Sequence, residues 1–194
     1  MTAPPIRVLS VSTALAQQVI IQGRPVLTAI HKRAQTGRVA VTLLGLAGDE
    51  QADQTVHGGL SKAIYAYPAA HYAFWQTVRA QARVASFGET LPPGALGENL
   101  TLDGALESGL WIGDRLRFAD CVLAVSEPRR PCFKFNAAMG FTQASKLMAQ
   151  SGYCGSYLAV VEPGSIGPGD TAELLPGPRE VNLRELFLAR MGRQ

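Results

Sequence analysis

The 194-residue sequence has only three cysteines, Cys121, Cys132 and Cys154, an odd number with no CxxC spacing. Neither a disulfide framework nor a cysteine-built zinc site is expected from that. No run of about 20 apolar residues is present, and Met1 to Arg7 has no basic stretch leading into an apolar one. A membrane span and a secretory leader are thus not expected, and a reduced cytoplasmic protein is. GxxxxGK[ST] and GxGxxG are both missing, so phosphate-loop and Rossmann nucleotide sites lack support. Charged residues are 17%, below the usual level, and the net charge of +3 is too small to imply a nucleic-acid partner. That charge suits a small anionic ligand if it is gathered in one place.

What is present points to a turn-rich, mainly β fold with flanking helices (α+β). Hydrophobic residues are 47%, enough for a sizeable core, while 20 glycines and 12 prolines argue against a helical bundle. Strands are expected at Ile6–Val11, Val26–Ile30, Val39–Leu43 and Ile64–Tyr67, with short apolar pieces at Leu100–Leu102 and Leu110–Ile112. Further strands are expected around Leu116–Phe118, Leu123–Val125 and Tyr157–Val161. The second face at Leu123–Val125 is not polar, which suits a closed or covered sheet. Pro68 can open a helix carrying Tyr72, Trp75 and Val78 at three-residue spacing. A second helix is expected from a Thr142 cap to a stop at Gly152. Ile112-Gly113-Asp114 echoes Pro168-Gly169-Asp170, each launching a strand, as in small barrels. The division expected is 1–175 for the barrel and 176–194 for a linker and a terminal helix bearing Leu183, Leu186 and Phe187. That helix either packs back or meets a partner.

Chemistry is expected in four polar turns. The sharpest is Pro128-Arg129-Arg130-Pro131-Cys132-Phe133-Lys134, where three cations flank one thiol and favour its thiolate. Such a thiolate serves as nucleophile, redox centre or soft-metal ligand; the alternative is a buried structural cysteine among solvated arginines. His57-Gly58-Gly59 offers an imidazole and two unhindered amides, or an ordinary turn. Gly48 to Asp53 reads mainly as turn formers, with Asp49 a candidate to fix the site. In Gly97-Glu98-Asn99, Asn99 is a candidate to hydrogen-bond a heterocycle and Glu98 a partner for an arginine. Cys121 reads as core, His71 as a packing or surface residue, and His31, beside Lys32 and Arg33, as solvated.

In this order, the stretches Gly45 to Asp53, His57 to Ala63, Gly94 to Leu100, Ile112-Gly113-Asp114, Pro128 to Cys132 and Ser151 to Asp170 resemble the MOSC domain, in its YiiM-type branch. The resemblance covers nearly all of residues 6 to 175 and implies a central β-barrel. It implies that Cys132 is the one protein ligand to molybdenum of a pyranopterin cofactor. It also implies that Arg129, Arg130, His57, Gly58, Gly59, Asn99, Glu98, Asp49 and Lys62 hold the cofactor. The activity implied is reduction of N-hydroxylated compounds, such as hydroxylaminopurines, with a separate reductase as electron donor; neither nucleic acid nor membrane is an expected partner. Relatives of another kind carry sulfur or cofactor, and Cys132 would then form a persulfide. YiiM-type chains carry a longer C-terminal helical region, whereas a short helix at Val181–Met191 is expected here. Cys154 beside Gly155-Ser156 departs from the pattern; a thiol relay with Cys132 would need the two to be close. The charge and the terminal helix allow a dimer without requiring one.

Overall fold

A computed structural model describes residues 5–52 and 58–192. In chain order the strands are β1 (Ile6–Thr13), β2 (Gln17–Ile21), β3 (Arg24–Thr28), β4 (Arg33–Ala34), β5 (Val39–Thr42), β6 (Gly45–Leu46), β7 (Ile64–Pro68), β8 (Leu100–Asp103), β9 (Arg115–Arg117), β10 (Val122–Pro128), β11 (Ser156–Glu162), β12 (Gly164–Ile166) and β13 (Thr171–Leu175). The helices are α1 (Tyr72–Gln81), α2 (Phe133–Met139), α3 (Ala144–Ser151) and α4 (Leu183–Met191).

Seven strands close into a barrel in the order β13-β9-β10-β11-β7-β8-β1, and β1 returns to β13 through Ile6 opposite Ala172. Of the pairs around it only β7–β8 is parallel. A parallel pair needs a long crossover, and residues 69–99 supply it with α1 and a glycine-rich loop. The Gly-Asp repeat acts as expected. Gly113 and Gly169 turn at φ 89° and 90°, and the strands they launch, β9 and β13, pair with Leu116 opposite Leu174. The Asp114 carboxylate, fully buried, accepts the amides of Trp111 (3.0 Å) and Gly177 (2.8 Å).

Strand alternation divides two apolar cores rather than core from solvent. Ile64 and Ala66 of β7 point into the barrel with Val8, Leu116 and Leu158. Tyr65 and Tyr67 point out, into an aromatic layer with Trp75, Phe135, Met148 and Tyr157. All five residues of β7 are therefore buried, which explains a strand without a polar face. Helix α4 packs back on the barrel: Leu183 joins the inner core and Phe187 the aromatic layer. Its Asn182 cap accepts the amides of Arg184 (3.0 Å) and Glu185 (3.2 Å).

Several expectations change. Residues 110–112 form no strand; Trp111 makes a single bridge to Asn182. Helix α3 stands where a helix was expected but starts after Gln143 rather than Thr142, and the short α2 before it was not expected. Helix α3 stops at Gly152 in the left-handed region, as expected. A hairpin of β2 and β3, paired to no other strand among the described residues, carries Val26 and its neighbours.

Candidate functional site

At one end of the barrel, loops after β3, β6 and β10 and the entries to β7 and β8 surround a half-open cleft. Cys132 opens into it from the cap position of α2, just past the end of β10. Its thiol does not cap the helix; its carbonyl accepts the Phe135 amide (3.0 Å) and the Ser145 hydroxyl (2.9 Å), which fixes the residue between α2 and α3.

The two arginines before it part company. Arg129 turns inward and is 5% exposed, whereas Arg130 is exposed and outside the lining. The Arg129 guanidinium donates to the Leu96 carbonyl (2.7 Å) and lies 4.6 Å over the Tyr65 ring and 5.2 Å over Phe135. Among the described residues no carboxylate forms an ion pair with it. Burial opposes its charge, but Tyr65, Tyr157 and Cys132 outweigh that and hold its pKa above the ordinary value. Burial pushes the Tyr157 hydroxyl to about 12 and the Tyr65 hydroxyl well above 10. The guanidinium is thus a fixed positive charge between neutral phenols beneath the cleft.

Opposite it, Lys32 and Asp49 form an ion pair of 2.5 Å, with each side chain 7% exposed. The Asp49 carboxylate also accepts the Ala14 amide (2.8 Å) and the Asn99 side-chain amide (2.9 Å). Asn99 also donates to the Ser12 carbonyl (3.1 Å) and accepts the Tyr65 amide (3.0 Å). Both N–H donors of its amide are thus taken, one of them by Asp49, and what it keeps for a heterocycle is the second lone pair of its carbonyl. Lys62 also lines the cleft, 3.7 Å from Glu127, and Lys134 ties its ammonium to the Leu27 carbonyl (2.9 Å).

Glu98 faces away from the cleft and pairs with no arginine among the described residues. Its fully buried carboxylate accepts the amides of Gly94 (2.8 Å) and Leu96 (3.0 Å), the Thr101 hydroxyl (3.0 Å) and the Tyr72 hydroxyl. It knots the loop whose Gly97 must lie bare against Ile30: a Cβ at this φ of 84° would come within 2.7 Å of the Ile30 side chain. Gly58 and Gly59 lie outside the lining, and the Gly59 amide donates to Gln51 (2.8 Å). His57 lies outside the described residues. His71 is a packing residue: it is buried, 2.7 Å from Glu107 and stacked on Tyr153 at 3.8 Å. Burial pushes the Cys121 thiol to about 11 and the Cys154 thiol well above 9. Cys154 is fully buried, so its environment favours a neutral thiol and gives no support to a relay.

Residues 53–173 match the MOSC domain family. The chain belongs to the MOSC family. Protein YiiM of Escherichia coli (strain K12) is 35% identical over 164 residues, 84% of this chain and 70% of YiiM. The crystal structure of YiiM from Geobacillus stearothermophilus superposes with a TM-score of 0.76 at 27% identity, covering 97% of this chain and 85% of that one. A protein of Gibberella moniliformis (strain M3125 / FGSC 7600) named Reductase is 35% identical over 157 residues, which are 80% of this chain but 27% of that protein.

Within the MOSC match lie Lys62, Asn99, Arg129 and Cys132; Lys32 and Asp49 reach the same cleft from the segment before it. Sequence reasoning missed Lys32, Tyr65 and Tyr157. Lys32 sits in a polar run between exposed His31 and Arg33 and carries no local signal of burial. Among the described residues no group of three or more His, Cys, Asp or Glu stands ready to hold a metal.

The Glu98 knot yields a pH test. Burial raises its folded pKa above 4.5, while its hydrogen bonds oppose the rise. Its contribution to stability is present below about 4.5 and declines as pH rises through the raised value. Glu98→Gln leaves amide donors facing a donor and costs about 2 kcal/mol. The gap between wild type and variant in urea unfolding narrows as pH rises from 4 to 8. A gap that widened would mean the carboxylate is held ionised.

Proposed function

We propose that this MOSC protein is a molybdenum-cofactor-dependent reductase of N-hydroxylated compounds. The observation that carries the reading is Cys132, opening into a cleft that the buried cation Arg129 also lines. A thiolate suits molybdenum bound by a dithiolene, and a site with no grouped metal ligands among the described residues suits a cofactor that arrives with its own. The charge of Arg129 suits the cofactor's phosphate. The relative named Reductase supports the reaction class.

When bound, the pyranopterin supplies the two-electron chemistry. The chain's own residues do the rest. Cys132 is the protein ligand, held by the bonds to its carbonyl. Arg129 keeps a permanent charge beneath it, and Asn99 and Asp49 fix the opposite wall. Electrons come from a separate reductase partner.

The test is expression in a cofactor-producing host, molybdenum analysis, and an N-hydroxylaminopurine reduction assay with a reduced dye. Stoichiometric molybdenum with turnover supports the reading. A sulfane-sulfur adduct on Cys132 without molybdenum would replace it with a sulfur-carrier function.

A further inference from the structure

We propose that Lys32 is the proton donor of this cleft, its ammonium passing a proton to the departing oxygen of the substrate from its seat on Asp49. This rests on the reductase reading and names the group that reading still needs. Cleaving the N–O bond of R–NH–OH consumes two electrons and two protons and yields R–NH₂ and water. The electron pair comes from the reduced molybdenum pyranopterin. One proton goes to the oxygen as the N–O bond breaks, and the second comes from solvent at the open mouth.

Of the described groups facing the cleft, few can give a proton. Arg129 does not release one, and the hydroxyls of Tyr65 and Tyr157 are pushed further from release by burial. Asp49 already takes donors from Ala14, Lys32 and Asn99, and Glu50 accepts the Ala16 amide (2.7 Å). The Lys134 ammonium is tied to the Leu27 carbonyl and that of Lys62 lies toward Glu127. Lys32 differs. Its side chain is 7% exposed, and among the described residues only Asp49 takes one of its three N–H donors. The other two meet no acceptor among the described residues and face the cleft that Lys32 lines. The loop at Gly94 closes on its stem, where a Cβ would sit 3.0 Å from Lys32 Cβ.

The electrostatics agree with this placement. Burial lowers the Lys32 pKa from 10.5, and Arg129 adds to the lowering; Asp49 and Glu98 oppose it. A lysine of this kind gives a proton more readily than a surface one. After transfer, the adjacent Asp49 carboxylate favours recharging of the amine from solvent.

The experiment compares holoenzyme of wild type with Lys32→Met, Lys32→Gln and Lys32→Arg. Lys32→Gln retains a hydrogen bond to Asp49 but no ionisable proton, which covers the case where Lys32→Met fails to fold. Molybdenum content is expected to match wild type, while kcat falls about 100-fold and KM moves little. Added ethylammonium restores part of the turnover of Lys32→Met. Lys32→Arg stays slow, because a guanidinium keeps its proton. Independently of activity, ¹³Cε-lysine NMR of the cofactor-free protein shows Lys32 titrating below the other lysines, and lower still in Asp49→Asn. Wild-type turnover in Lys32→Arg, no amine rescue, or loss of molybdenum in both Lys32→Met and Lys32→Gln overturns the proposal and leaves the reductase reading standing. Wild type with neither molybdenum nor turnover refutes both.

Discussion

Cys132→Ala purified from a cofactor-producing host is expected to contain no stoichiometric molybdenum and to lose turnover by more than about 100-fold, since even residues one shell removed from a metal cost 10–100-fold. The protein should remain folded. The thiol does not cap α2, and the bonds that hold this corner run from Phe135 and Ser145 to the Cys132 carbonyl, which alanine retains. Loss of one half-buried sulfur costs about 1 kcal/mol. Elemental analysis, a reductase assay and thermal melting of one preparation check all three expectations. Full molybdenum content in Cys132→Ala would remove the thiol as the ligand. A variant that unfolded would show that the residue is structural.

Arg129→Met carries the next largest effect, and its contrast with Arg130→Met makes it diagnostic. Replacing a buried charge by an apolar side chain is often harmless when its partners are replaced with it. Here the partners stay. The Leu96 carbonyl loses its buried donor and two aromatic faces lose their cation. The combined cost is about 3 kcal/mol, a fall of roughly 6–12 °C in Tm for a chain of this length. Cofactor retention should fall with it, because the charge beneath the cleft goes too. Arg130 is exposed and outside the lining, so Arg130→Met should leave Tm within a few degrees and retention unchanged. Equal effects at both positions, read by differential scanning calorimetry and metal analysis, would refute the inward placement of Arg129.

The two arginines also show where the sequence stops being readable. Both flank the cysteine, and alternation along β10 would assign one inward if it ran unbroken. It does not: the pairing of β10 with β11 shifts register between Val125 and Glu127, and the parity of the residues beyond Glu127 is reset. The turns were legible because their chemistry is local, as at Gly113-Asp114, Gly169-Asp170 and the Gly152 stop. Cys132 in its cationic loop was legible for the same reason. Asn99 was found as a residue, but its bonds to Ser12, Asp49 and Tyr65 were not legible, since these partners come together only in the fold. The β2 strand was missed because Gln17–Ile21 lies on a hairpin outside the barrel with little of it buried. Lys32 was missed because nothing near it in the chain foretells Asp49 beside it.

The barrel closes by joining its first strand to its last, Ile6 beside Ala172. A ribosome must therefore release nearly the whole chain before the ring can shut. Until then the free edge of β1 waits without the neighbour that β13 will provide, and a contact this distant in sequence is slow to form. Birth of the molecule, more than its finished state, is when it is most exposed to chaperones and to its own copies.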